Sequence, residues 1–126
     1  MEPATQAFKA LADPTRLRLL KALLSIETHR GICVCELVDA LGLPQYQVSR
    51  QLGQLKGAGW LQSERRGTWI YYRVSAELEP WQTGVLTALS DLRGESFQAD
   101  ETRLQRRLAL RQEGLCVVGY EASAIT

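Results

Sequence analysis

The chain has 126 residues, of which 45% are hydrophobic and 23% charged, with three cysteines, one histidine and a net charge of +1. That is enough chain to bury a core without disulfides or metals, the composition is that of a soluble globular protein, and no apolar run approaches the ~20 residues a membrane helix needs. The N-terminus has an acidic second residue and no apolar stretch with a small-residue cleavage site, so it does not read as a signal peptide and the expected location is cytoplasmic. In that compartment three cysteines stay reduced: inert, redox-active or metal-binding rather than paired as a framework.

The charge is unevenly placed. Residues 1–43 balance, with Lys9, Arg16, Arg18, Lys21 and Arg30 against Glu2, Asp13, Glu27, Glu36 and Asp39. Residues 44–74 hold Arg50, Lys56, Arg65, Arg66 and Arg73 against Glu64 alone, an excess that a phosphate backbone can use.

Taken in order, Ala4, Phe8, Leu11 and Ala12 have helical spacing over residues 4–12. Asp13 and Pro14 then suit the cap and first position of a helix over about 14–25, whose stripe is Leu17, Leu20 and Leu24. Residues 28–31 read as a loop, with Gly31 free to take a positive φ. Val34, Leu37, Val38 and Leu41 predict a short amphipathic helix ended by Gly42. A second helix starts at Leu43-Pro44, buries Val48, Leu52 and Leu55, and stops at Gly57-Ala58-Gly59. Two short helices joined by a glycine-containing turn form a helix-turn-helix. The second leaves Gln45, Gln47, Ser49, Arg50, Gln51, Gln54 and Lys56 off its apolar stripe, without one acidic residue, and these side chains can bond base edges or phosphates.

The period then changes from 3.6 to 2 over 60–66 and 69–74, with a tight turn at Arg66-Gly67-Thr68. This predicts a hairpin with Arg65 and Arg66 at its tip. Another helix is expected to start at Ser75 or Glu77, with Leu78, Trp81, Val85, Leu89 and Leu92 as a core stripe or a dimer seam. A last helix is expected over 100–113, capped by Asp100, rich in arginine (Arg103, Arg106, Arg107, Arg111) and ended by Gly114, before a loosely ended tail that carries Cys116. The expected fold is mostly α with a small β-hairpin, a winged helix-turn-helix. Residues 1–95 are expected to form its DNA-binding domain together with any dimerisation seam, and 96–126 a C-terminal helix and tail carrying a candidate ligand cysteine.

Three stretches, LADPTRLRLLKALL at 11–24, VSRQLGQLKGAGWL at 48–61 and RRGTWIYYRV at 65–74, resemble the second helix, recognition helix and wing of the ArsR/SmtB family of metal-sensing repressors. Cys33-Val34-Cys35-Glu36-Leu37 is similar to the box of that family's arsenite/antimonite and cadmium/lead sensors. The resemblance implies a homodimer that binds double-stranded operator DNA and releases it when a thiophilic ion binds, with As(III) or Sb(III) as inducer and Cd(II)/Pb(II) or thiol oxidation as the alternative. The chain departs from the family pattern in having Val38 where a third cysteine is common, no cysteine before Cys33, no histidine in residues 76–93, Gln51 in place of a frequent histidine, and Pro44 in place of a frequent serine.

Soft thiolates select soft ions, and trivalent arsenic takes three sulfurs. Two residues apart on a helix means about 200° of rotation, so Cys33 and Cys35 can share an ion only if Cys33 lies at or before the first turn. A helix N-terminus also lowers thiol pKa. The site is therefore expected to form or tighten by distorting that first turn. With two sulfurs in the box, Cys116, from the same or the other subunit, is the expected third ligand, as the one cysteine left. C-x-C is not the C-x-x-C redox spacing, and a catalytic constellation is missing from the sequence, so the chain is not expected to be an enzyme. On DNA, Gln45, Gln47, Ser49, Arg50 and Gln51 are expected at the major groove, with Lys56, Arg65 and Arg66 among the basic contacts. Half-sites should lie about one helical turn (~34 Å) or a multiple apart.

Overall fold

The computed structural model describes residues 2–26, 30–112 and 114–116. The expectations for His29 and its loop partner Thr28, and for the tail after Cys116, lie outside these. Among the described residues there are six helices and a three-stranded sheet: α1 (Pro3–Leu11), α2 (Pro14–Ser25), β1 (Ile32–Cys33), α3 (Val34–Leu41), α4 (Gln45–Gly57), β2 (Leu61–Arg66), β3 (Trp69–Val74), α5 (Pro80–Ser90) and α6 (Glu95–Leu108). No described helix is long and apolar enough to cross a membrane.

Local chemistry sets the early boundaries. Asp13 caps α2 by accepting from the Arg16 amide at 3.0 Å, with Pro14 at the first helical position. Gly42 closes α3 in the left-handed conformation, φ 67°. Leu19, Leu20, Leu37, Val48, Leu52, Leu55 and Trp60 are fully buried, and the Trp60 indole donates to the Ala7 carbonyl at 2.9 Å. This core seats α4 on α2 and α3, with its polar side turned outward. The fold is a winged helix-turn-helix, as the spacing predicts.

Three expectations are corrected. The helix expected from Ser75 or Glu77 begins at Pro80. The residue before a proline is pushed out of the α region and the proline favours the first turn, while Glu79 and Gln82 form a reciprocal capping box. The last helix runs from Glu95 to Leu108 rather than over 100–113, so Asp100 is not its cap. Asp100 lies inside α6, 1% exposed, held by Arg18 and Arg103 at 2.8 Å each. Gly114 does not end the helix; at φ 76° it shapes a turn beyond it, closed by a bridge between Gln112 and Leu115.

The sheet also has a third strand. Its order is β1-β3-β2, all antiparallel, with Cys33 opposite Tyr71, and Tyr71 opposite Glu64 on the other side. The short β1 ties the wing to the start of α3.

Candidate thiol site and its link to the helix-turn-helix

Cys33 occupies the N-cap of α3 in extended geometry (φ −70°, ψ 147°). Its sulfur therefore swings to the same side as Cys35, and the two Sγ atoms stand 3.0 Å apart. The Sγ of Cys116 lies 3.2 Å from that of Cys35. All three thiols are buried, and their sulfurs lie within 4.8 Å of one another. Among the described residues this is the one cluster of three or more potential metal-ligating side chains. The three sulfurs meet with α3 regular from Val34 onward, so the cluster is collected without unwinding its first turn.

The thiols shift one another's protonation. Cys33 is lowered to about 7, chiefly by the hydrogen bond from Cys35 and against the cost of burial. Cys35 is pushed up because it gives that bond and is buried. Burial raises Cys116, with the hydrogen bond from Cys35 and, more weakly, the charge of Arg107 pulling the other way. The expected lowering of a thiol at the helix start is present, but its main cause is the neighbouring thiol rather than the helix end.

Around the sulfurs, α6 lies along α3 in the reverse direction. Arg103 donates to the Ala40 carbonyl at 2.6 Å, Arg107 to Asp39 at 2.6 Å, and Arg111, just beyond α6, to both Glu36 oxygens at 2.7 Å. Arg103 and Arg107, four apart, share one side of α6, and Arg111 continues the row beyond it, so the three run down α3 from its C-terminus to its first turn. Arg18 adds a bond to the Leu41 carbonyl at 2.9 Å. Glu36 is fully buried and also accepts the Cys33 amide at 2.8 Å, completing a capping box. Helix α3 is thus held along its whole length between the thiols and the turn into α4. The sequence showed the arginine spacing but not its partners.

The side chains expected at DNA divide. Gln45 and Arg50 on α4 are exposed, whereas Gln47, Ser49 and Gln51 are half-buried. Gln45 donates to Ser49 at 2.7 Å, and the Gln51 oxygen accepts from Arg16 at 2.7 Å, which ties α2 to α4. Lys56 is exposed and donates to Ser63 of β2 at 2.7 Å. Arg65 and Arg66 are exposed at the wing tip, with Arg66 3.2 Å from Glu64. Tyr46, which the sequence reading passed over, is 69% exposed; it stands one turn before Arg50 and shares its face.

Comparison with known proteins agrees with this architecture. Residues 13–63 match the model for the arsR family of bacterial regulatory proteins. The chain is 42% identical over 97 residues to the arsenic resistance transcriptional regulator ArsR1 of Pseudomonas putida, covering 77% of this chain and 73% of that protein. It is 33% identical over 102 residues to the arsenical resistance operon repressor of Escherichia coli, covering 81% and 85%. Against the HTH-type transcriptional repressor SmtB of Mycobacterium tuberculosis the identity is 41% over 75 residues, 60% of this chain and 53% of that one.

Proposed function

The chain belongs to the arsR family of regulatory proteins, and from that premise we propose a homodimeric repressor that leaves its operator when As(III) or Sb(III) binds Cys33, Cys35 and Cys116. One observation carries the reading: three sulfurs, one of them 81 residues away in sequence, converge in a buried cluster within one protomer. Thiolates are the donors that select soft ions. Charge balance favours a trivalent one. The neighbouring pairs Glu36–Arg111 and Asp39–Arg107 are each neutral, so three thiolates and a trivalent ion sum to zero. A divalent ion leaves a net negative charge out of water, which is costly.

The thiols sit where both DNA-facing parts begin. Cys33 caps α3, which leads into α4, and pairs with Tyr71 in the wing strand β3. An ion that fixes this junction in an arrangement the operator disfavours needs about 2.7 kcal/mol of coupling for 100-fold release. In this reading Gln45, Gln47, Ser49, Arg50 and Gln51 meet the major groove, and Lys56, Arg65 and Arg66 the backbone. The dimer seam is the face where Trp81, Val85 and Leu89 are half-buried and Phe8, 51% exposed, stacks on Trp81 at 5.4 Å.

Fluorescence anisotropy on upstream DNA tests the reading, with As(III), Sb(III), Cd(II), Pb(II) and peroxide added in turn. Release by As(III) or Sb(III), with a midpoint raised at least about tenfold in Cys116→Ser, is the expected result. Release by Cd(II), Pb(II) or peroxide alone, or an unchanged midpoint in Cys116→Ser, overturns it.

A further inference from the structure

We propose that Arg111 and Tyr71 are positioning residues that hold Cys116 against the other two thiols, so that the site discriminates by the number of thiolates a ligand accepts. The inference rests on the reading of this cluster as the inducer site.

Beyond Leu108 the chain leaves α6 and turns back through the Gln112–Leu115 bridge. Arg107 reaches the Cys116 sulfur at 4.0 Å, and two further side chains anchor the arm. Arg111 bonds both oxygens of Glu36 at 2.7 Å and the Gly31 carbonyl at 2.8 Å, and its guanidinium lies 5.8 Å from the Tyr71 ring centre. The Tyr71 hydroxyl accepts the Cys116 amide at 2.9 Å. The same Glu36 carboxylate accepts the Cys33 amide, so one buried group fixes the first thiol's backbone and the anchor of the third. Cys33 and Cys35 lie two residues apart on one element, and their approach needs no arm. A bidentate arginine–carboxylate pair fixes direction as well as distance, which is what places Cys116.

The chemistry makes docking measurable. Arsenous acid, As(OH)3, forms three As–S bonds with three thiols; their protons leave with its hydroxyls as three waters. Phenylarsine oxide keeps its carbon bond and forms two As–S bonds, releasing one water made from the oxide oxygen and two thiol protons. Neither reaction changes an oxidation state. An undocked arm therefore costs affinity for the first ligand and not for the second.

The test titrates full-length wild type, Tyr71→Phe and the double variant Glu36→Gln/Arg111→Met with arsenite and with phenylarsine oxide, following thiolate–arsenic ultraviolet absorption. The double variant leaves no buried charge unpaired, and glutamine keeps the capping box. Its arsenite affinity is expected to fall at least about tenfold, about 1.4 kcal/mol, while phenylarsine oxide binding stays within about twofold. Tyr71→Phe keeps the ring and loses the acceptor; its arsenite affinity is expected to fall about threefold, which answers the question even if the double variant does not fold. Equal loss for both ligands, or arsenite binding unchanged in both variants, overturns the inference. Wild type that binds phenylarsine oxide but no arsenite overturns the inducer reading along with it.

Discussion

Cys35→Ser is expected to abolish the response to arsenite, with ion affinity falling about 100-fold or more, about 2.7 kcal/mol, while ion-free operator affinity changes little. Cys35 is the vertex of the cluster, 3.0 Å from Cys33 and 3.2 Å from Cys116. Losing Cys116 leaves the adjacent pair Cys33 and Cys35; losing Cys35 leaves two sulfurs from distant parts of the chain and removes the one that lies within 3.2 Å of both others. Serine supplies a hard oxygen, a poor ligand for a thiophilic ion, yet it fits the same space, so α3 and the DNA-facing surface remain. Arsenite titration of the labelled operator complex, beside operator binding without the ion, checks both statements. Release at the wild-type arsenite concentration would place the inducer site elsewhere.

Glu36→Ala is expected to have the largest effect on stability, about 3–5 kcal/mol. Glu36 is fully buried and faces Arg111, whose side chain is only 10% exposed. Breaking such a pair from one side strands the other charge, which costs far more than a surface ion pair. The Cys33 amide loses its capping partner as well. Thermal unfolding followed by circular dichroism should show a midpoint lowered on the order of 10–20 °C. Glu36→Gln retains the cap and is expected to fall between wild type and alanine. A Glu36→Ala midpoint within a few degrees of wild type would mean that Arg111 does not clamp α3 at this end.

The helix-turn-helix was legible because its signals are local. Asp13-Pro14, the Val34–Leu41 periodicity with Gly42, and the Gly67-Thr68 turn each act within a few residues, and the observed boundaries follow them closely. Helix α6 was misplaced because its inward side is partly ionic. Asp100 and Arg107 are buried on that side, and Asp100, which suits a helix cap in sequence, is neutralised by Arg18 from α2. Strand β1 is two residues long, too short to show a period. The geometry of Cys33 followed from the rotation per residue, which forbids sharing an ion across C-x-C in mid-helix. The approach of Cys116 had no local signal; it depends on the Arg111–Glu36 pair, 75 residues apart in sequence, which a pattern of neighbours does not reveal.

X-ray absorption at the arsenic edge of the arsenite-loaded, reduced protein tests the central claim most directly, because it counts the atoms bound to arsenic. The account predicts three sulfur neighbours and no oxygen in wild type, and two sulfurs with an oxygen in Cys116→Ser. Two sulfurs and an oxygen in wild type would contradict it, leaving Cys116 a buried tail residue beside a two-thiol site.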